Sequence, residues 1–388
     1  MQVEGTSDPR FKPVREAFCE NFTNRGELGA AVVVTVDGTT VVDLWGGIAE
    51  RGHGRPWTPE TMVVVFSCTK GATALCAHML AARGVLDLDA PVARYWPEFA
   101  AADKGTISVR MLLNHQAGMA AIDQPLPSSA VYDWGAMTAA LAAQAPHWEP
   151  GSAHGYHAAT FGWLVGEVVR RVSGRSLGAF FREEVTARLN LDFYIGLPEV
   201  LEPRVAPIRM PPLTGETTPI MRMMADRSSL TSKAFLNPPG LLTSRQINGR
   251  ALHAAEVPAA NGIATARGLA GVYTPLACGG RSGAVELLDG DTLEAMATVE
   301  SEGDDLVLLI ATRFASGFMK SMDNGARDSA VLGPNPAAFG HGGAGGSIGM
   351  ADPTARVAIG YVMNQMGVGI LLNDRGQALI DAVYASLG

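Results

Sequence analysis

The chain has 388 residues, 47% hydrophobic and 18% charged, with a formal net charge of −8. That length allows two or three domains around a large core. The acidic balance excludes a basic nucleic-acid-binding surface, and no run of roughly 18 apolar residues is present to span a membrane.

In chain order, the opening "MQVEGTSDPRFKPVREAF" is polar and lacks the basic-then-apolar layout of a secretory signal, so a cytoplasmic protein is expected. Phe11, Val14, Phe18 and Phe22 recur at helical spacing and predict a helix over 8–24. "GAAVVVTVDGTTVVDLWGG" predicts two strands joined at Asp37-Gly38, with the imperfect alternation of strands covered by helices. The apolar run "VVVF" at 63–66 leads into a helix over Thr69–Arg83, with Gly84 as its cap. "LDLDAPVARYWPEF" reads as a loop, and "TISVRMLLNHQAGM" as a short helix capped by Ser108 and stopped at Gly118. Further helices are predicted over 134–144, 160–173 and 176–189. Residues 196–245, rich in Pro, Met and Ser, read as a long covering loop with short helices. Asn261-Gly262 marks a turn before a helix of about 264–278. "DDLVLLIATRF" and "RVAIGYVMNQ" read as strands, and 374–386 as a closing helix.

Strands thus lie at both ends and helices between them. This predicts an α/β (α+β) fold: a sheet domain from 1–85 and 250–388, and a mostly helical domain over 86–249. Cys19, Cys68, Cys76 and Cys278 show no CxxC or zinc spacing, and the eight histidines form no HExxH. Free thiols, no metal site and no cofactor are expected.

Three stretches carry chemistry. Ser67 and Lys70, at i and i+3, share one helix face. A serine at a helix N-terminus meets unpaired N–H groups that favour developing negative charge, and a desolvated lysine can take its proton. The same pair alone reads more readily as an N-cap serine with a lysine snorkelling to solvent, but its apolar flanks are unusual for a surface lysine. Tyr156 lies in a Gly-rich loop before the 160–173 helix, where a phenol can relay a proton or simply pack its ring. The glycine-dense "FGHGGAGGSIGMADP" at 339–353 lets backbone approach a ligand closely, with His341 beside it. Gly340, Gly342 and Gly345 match GxGxxG, but a strand follows rather than a helix, so no dinucleotide loop is expected. Ser176 and Ser347 each sit in a GxSxG string without the strand-to-helix setting of a nucleophile elbow, and both are taken as chance matches.

"SCTK" at 67–70, "ISVRMLLNHQAGM" at 107–119, "PGSAHGYHAATFGWLVGEVVRRVSG" at 150–174 and "GHGGAGGSIGMADP" at 340–353 occur in the order and spacing of a known superfamily. Together they resemble the class C β-lactamase-like branch of the serine β-lactamases and penicillin-binding proteins, and within it the family VIII carboxylesterases. The resemblance spans roughly 25–385. It implies a β-lactamase-like fold, an antiparallel sheet flanked by helices, with the active site in the cleft between the two domains. It also implies an acyl-enzyme on Ser67, general base and acid work shared by Lys70 and Tyr156, and an oxyanion hole from the N–H groups of Ser67 and Ala344. His341, Gly342 and Gly343 stand where the β-lactamases carry Lys-Thr-Gly, and Ala158 where they carry the Asn of YxN. Both departures favour an uncharged ester over a penicillin or a peptide C-terminus. Phe66, Leu126 and Trp134, with part of the Met-rich 210–224 segment, are expected pocket walls.

The expectation is therefore a serine carboxylesterase for small or short-chain esters, with a small-molecule ester as its partner, no nucleic acid and no membrane. The alternatives are an amide-cleaving relative (a weak β-lactamase, D-amino-acid peptidase or oligoamide hydrolase) and a non-catalytic binding descendant of the fold. The sequence leaves the oligomeric state open, homo-oligomer included.

Overall fold

The computed structural model describes residues 2–211, 219–241, 243–325, 331–368 and 372–388. Fifteen strands are found among them. In chain order they begin with β1 (Val3–Ser7), β2 (Gly29–Val36), β3 (Thr39–Glu50) and β4 (Arg55–Pro56). Two small units follow: β5 (Val63–Val64), β6 (Phe193–Tyr194) and β7 (Ile263–Ala264) form a three-stranded sheet, and β8 (Arg281–Ser282) pairs with β9 (Val285–Glu286). The last six are β10 (Ser301–Asp304), β11 (Ala311–Phe314), β12 (Met319–Lys320), β13 (Phe339–Gly342), β14 (Ile348–Asp352) and β15 (Val357–Met363).

The main sheet is antiparallel throughout, in the order β1-β3-β2-β15-β14-β13-β12-β11-β10, with β4 on β3. It is built from both ends of the chain, and β2 against β15 is the seam between them. Its two faces are both buried, which explains the weak alternation of the β2 sequence. Ala30, Val32 and Val34 turn to one core, shared with Phe11, Val14, Phe18 and the closing helix. Ala31 and Val33 turn to the other, shared with the helices Cys68–Ala82, Thr160–Ser173 and Ala266–Ala277.

The helix Lys12–Asn24, the Asp37-Gly38 turn (both φ positive), and the helices Trp134–Ala143, Thr160–Ser173, Ala266–Ala277 and Asp374–Leu387 lie where their sequences point. The 177–189 stretch is also helical, begun by the Ser176 cap. One strand is added to the expected elements and two expectations are corrected. β1 is a strand within the polar opening, paired along β3, where exposed positions alternate with half-buried ones. The helix after Ser108 spans only Val109–Leu113; His115, with φ +65°, breaks it before Gly118. "DDLVLLIATRF" is not one strand. Asp305 accepts the N–H groups of Val307 and Leu308 at 2.8 Å each and folds 305–310 into a turn between β10 and β11. Residues 212–218, in the middle of the Met-rich segment, lie outside the described residues.

Candidate active site

Ser67 stands at the N-terminus of the buried helix Cys68–Ala82, immediately after Phe66, whose φ of +47° turns the chain sharply out of β5. A left-handed phenylalanine costs on the order of 1 kcal/mol, so its surroundings must hold it. They do: the Phe66 carbonyl accepts from the Thr69 N–H, the Thr69 hydroxyl accepts from the Gly262 N–H at 2.8 Å, and the Val65 N–H donates to the Gly262 carbonyl at 2.8 Å. The Ser67 hydroxyl makes no capping hydrogen bond, which removes the N-cap reading.

Lys70 does not snorkel; it is fully buried. Its Nζ lies 2.8 Å from the Ala158 carbonyl, 3.0 Å from the Ala259 carbonyl and 3.3 Å from Ser67 Oγ. It also sits 4.6 Å from the centroid of the Tyr156 ring. Burial holds its pKa well below the ordinary lysine value. A neutral amine has two N–H donors and one lone pair. In that form, with the two carbonyls taking the two donors, the lone pair would face the Ser67 hydroxyl.

Tyr156 is buried, and burial pushes its phenol pKa up while a hydrogen bond with Ser67 pulls the other way. Its hydroxyl is 3.5 Å from His341 Nε2. His341 Nδ1–H donates to the Gly342 carbonyl at 2.7 Å, so Nε2 is the accepting nitrogen. Burial, then Lys70, lower the His341 pKa to about 3, and the imidazole is neutral at physiological pH. The tyrosine ring stacks on Phe314 and tilts against His115. Its backbone N–H donates to both carboxylate oxygens of Asp305, at 3.0 and 3.1 Å.

Gly343 brings the glycine loop against the serine turn. A Cβ at this position would stand 2.3 Å from the Val65 carbonyl oxygen and 3.3 Å from Cys68 Sγ. The Cys68 thiol donates to the His341 carbonyl at 3.1 Å, tying the same two segments. Among the described residues, the N–H groups of Ser67 and Ala344 have no protein acceptor. The two free donors belong to the two backbones that Gly343 brings together.

Phe66, Ser67, Lys70, Tyr156, His341, Gly342 and Gly343 therefore gather at one place. Trp134 does not join them: its indole Nε1–H donates to Glu167 at 2.7 Å and its ring packs on Gly166, bracing Trp134–Ala143 against Thr160–Ser173. Leu126 is half-buried, and its backbone N–H donates to Asn237 Oδ1 at 3.0 Å. Ser176 caps its helix and bonds Glu256, and Ser347 is fully buried in the β13–β14 turn.

Sequence reasoning missed the support behind Tyr156. His157 Nδ1–H donates to the Gly155 carbonyl and its Nε2 accepts the Met119 N–H, while the His157 N–H donates to His115 Nδ1. Burial lowers the His157 pKa to about 3 and holds that of His115 well below the usual histidine value. These histidines are neutral hydrogen-bonding spacers. The available signal was two histidines, His115 in "NHQAG", three residues before the turn glycine Gly118, and His157 in "GYH", next to the tyrosine itself.

A serine and a buried lysine one helical turn apart, beside an antiparallel sheet, define a serine hydrolase of the β-lactamase fold. The Beta-lactamase family model matches residues 14–382, and the chain belongs to that family. It is 37% identical over 380 residues to the esterase/beta-lactamase LipL of Mycobacterium tuberculosis, covering 96% of this chain and 85% of that one. A solved family VIII carboxylesterase is 41% identical with a TM-score of 0.91, each chain covered in full. A penicillin-binding protein homologue from Caulobacter crescentus is 38% identical with a TM-score of 0.89, again over both whole chains.

Proposed function

We propose that the protein is a carboxylesterase for uncharged small or short-chain esters, acting through an acyl-enzyme on Ser67 in the cleft between the sheet domain and the helical segment 86–249. Ser67 Oγ attacks the ester carbonyl and its proton passes to the lone pair of Lys70 Nζ. The oxyanion is received by the N–H groups of Ser67 and Ala344. The ammonium so formed rests on the Ala158 and Ala259 carbonyls and the Tyr156 ring, each already in place. The proton returns through the Tyr156 hydroxyl to the leaving alcohol oxygen. Water then attacks the acyl-enzyme, giving its proton to Lys70, and the acid departs as Ser67 is reprotonated.

One observation carries the choice of ester. His341 is buried, neutral and engaged with Gly342 and Tyr156, so the position offers no cation to anchor a substrate carboxylate. The esterase names among the relatives support the same reading. Short and long p-nitrophenyl esters, a chromogenic cephalosporin and a D-Ala-D-Ala peptide test it. Ester turnover that Ser67→Ala abolishes, well above any cephalosporin turnover, is expected. No ester turnover, or turnover undiminished in Ser67→Ala, would end this reading. Cephalosporin turnover faster than ester turnover would replace it with the amide-cleaving one.

A further inference from the structure

The N–H of Ala344 is aimed by the turn that carries it. Gly343 accepts from the Gly346 N–H at 2.9 Å, leaving Ala344 and Gly345 as the central pair. Gly345 has φ +85°, as the third residue of a type II turn requires. Nothing inside the turn can engage the Ala344 N–H, so its direction depends on what grips the turn from outside.

That grip is on the Gly345 carbonyl, which receives three donors. They are the Gly367 N–H at 2.9 Å, Asn373 Nδ2 at 2.8 Å and Arg375 Nη2 at 3.1 Å. Arg375 is only 3% exposed. Its Nη1 donates to Glu27 at 2.9 Å, Nη2 also reaches the Gln365 carbonyl at 2.7 Å, and the Tyr361 hydroxyl donates to the second Glu27 oxygen. Asn373 has two jobs. Its Oδ1 caps the closing helix by accepting from the N–H groups of Arg375 and Gly376, and its Nδ2 holds the turn. The contact has no slack: a Cβ on Gly346 would lie 2.3 Å from Asn373 Nδ2, and one on Gly367 would lie 2.4 Å from the same atom. A carbonyl oxygen has two lone pairs; three donors, one of them a buried guanidinium, exceed what solvation of one carbonyl needs.

We propose that Asn373 and Arg375 are positioning residues for the oxyanion hole: they clamp the Gly345 carbonyl, and so fix the direction of the Ala344 N–H, with Glu27 and Tyr361 holding Arg375 in place. Neither touches the substrate. Their effect is confined to the stage at which negative charge develops, since the planar ester makes less demand on that N–H than the tetrahedral oxyanion does. The inference rests on the esterase reading.

Asn373→Asp is the discriminating variant, because a carboxylate keeps both cap contacts at the helix N-terminus while the donor to Gly345 is replaced by an oxygen that can only repel that carbonyl. Arg375→Lys is its companion, keeping the charge beside Glu27. The readouts are kcat and KM on a p-nitrophenyl ester, melting temperature, and inhibition by an alkyl boronic acid. The boronic acid accepts Ser67 Oγ at boron, with the serine proton passing to Lys70, and its tetrahedral adduct places an oxygen in the hole. In Asn373→Asp we expect kcat to fall about 10–100-fold and the boronate inhibition constant to rise by a similar factor, somewhat less than deleting a donor outright. KM should stay within about twofold and the melting temperature within a few degrees. The inference is overturned if both variants keep kcat and boronate affinity within about twofold of the parent. It is equally overturned if the losses appear only in step with a fall in melting temperature, which would make the residues general supports. A parent protein that turns over no ester fails the esterase reading instead.

Discussion

At the scale of single residues, Lys70 decides the most. Replacing it with Met keeps its length and removes its lone pair, and kcat on an ester should fall by about 10³-fold or more. Stability should respond with a definite sign. Because burial lowers the Lys70 pKa in the folded protein, the unfolded chain keeps this proton to higher pH than the folded one, and stability from this group rises as pH climbs toward 10.5. The advantage of Lys70→Met over the parent in urea unfolding should therefore shrink between pH 7 and pH 10; a gap that widens would contradict the neutral lysine. On the proposed mechanism, in which Lys70 acts unprotonated, the acid limb of kcat/KM should follow the same group and be lost as pH falls through its lowered pKa. His341, already neutral down to about pH 3, should contribute no limb. His341→Asn should lower kcat by about tenfold, the size of one hydrogen bond, without moving the midpoint of that limb. Ser67, Lys70, Tyr156 and His341 were legible in the sequence because serine, lysine and phenol in apolar or glycine-rich settings are chemically conspicuous. Whether the lysine was buried was not legible, because that depends on the carbonyls of Ala158 and Ala259, which no side-chain pattern announces.

At the scale of elements, the site depends on two backbones packed without side chains between them. Gly343→Ala inserts a methyl 2.3 Å from the Val65 oxygen and must push the serine turn and the turn proposed to hold the oxyanion apart. A displacement of about 1 Å can cost on the order of 10²-fold in rate, and that loss in kcat, with melting temperature falling too, is the expected result. The 305–310 turn shows why sequence pattern fails locally. Its five apolar residues, Leu306 to Ile310, read as a strand, yet Asp305 outbids the sheet for their backbone. The same carboxylate then seats Tyr156 through its N–H, and Thr312 donates to it while facing His154. Helices with a full amphipathic face were readable to within a few residues. The two-residue strands β6 and β7 were not, because they exist only through pairing with distant partners, whereas β5 lies in the apolar run before Ser67.

At the scale of the whole molecule, the described core holds His78, His115, His157 and His341 fully buried and neutral. Their folded pKa values lie below the unfolded 6.5, so the unfolded chain binds more protons as pH drops. Each contributes a loss of up to about 1.4 kcal/mol per pH unit between pH 6.5 and its own folded value. Glu27, raised to about 7 by burial, and Asp305, also raised, act in the opposite sense and return part of that loss. The net expectation is a steep fall of the urea midpoint between pH 6.5 and pH 4.5; a flat midpoint across that window would contradict it. The broad plan, strands from both ends and helices between, was visible in the order of apolar periods along the chain. The sheet order was not, since register is set by tertiary pairing. That order has a kinetic consequence. The seam of β2 with β15 unites opposite ends of the chain, so the main sheet cannot close until nearly the whole sequence has been brought together, and loop closure must be met before the pairing rewards it. Catalytic activity after dilution from denaturant should therefore return later than the far-ultraviolet helix signal, since the helices form locally while the oxyanion turn waits on the last seam to zip.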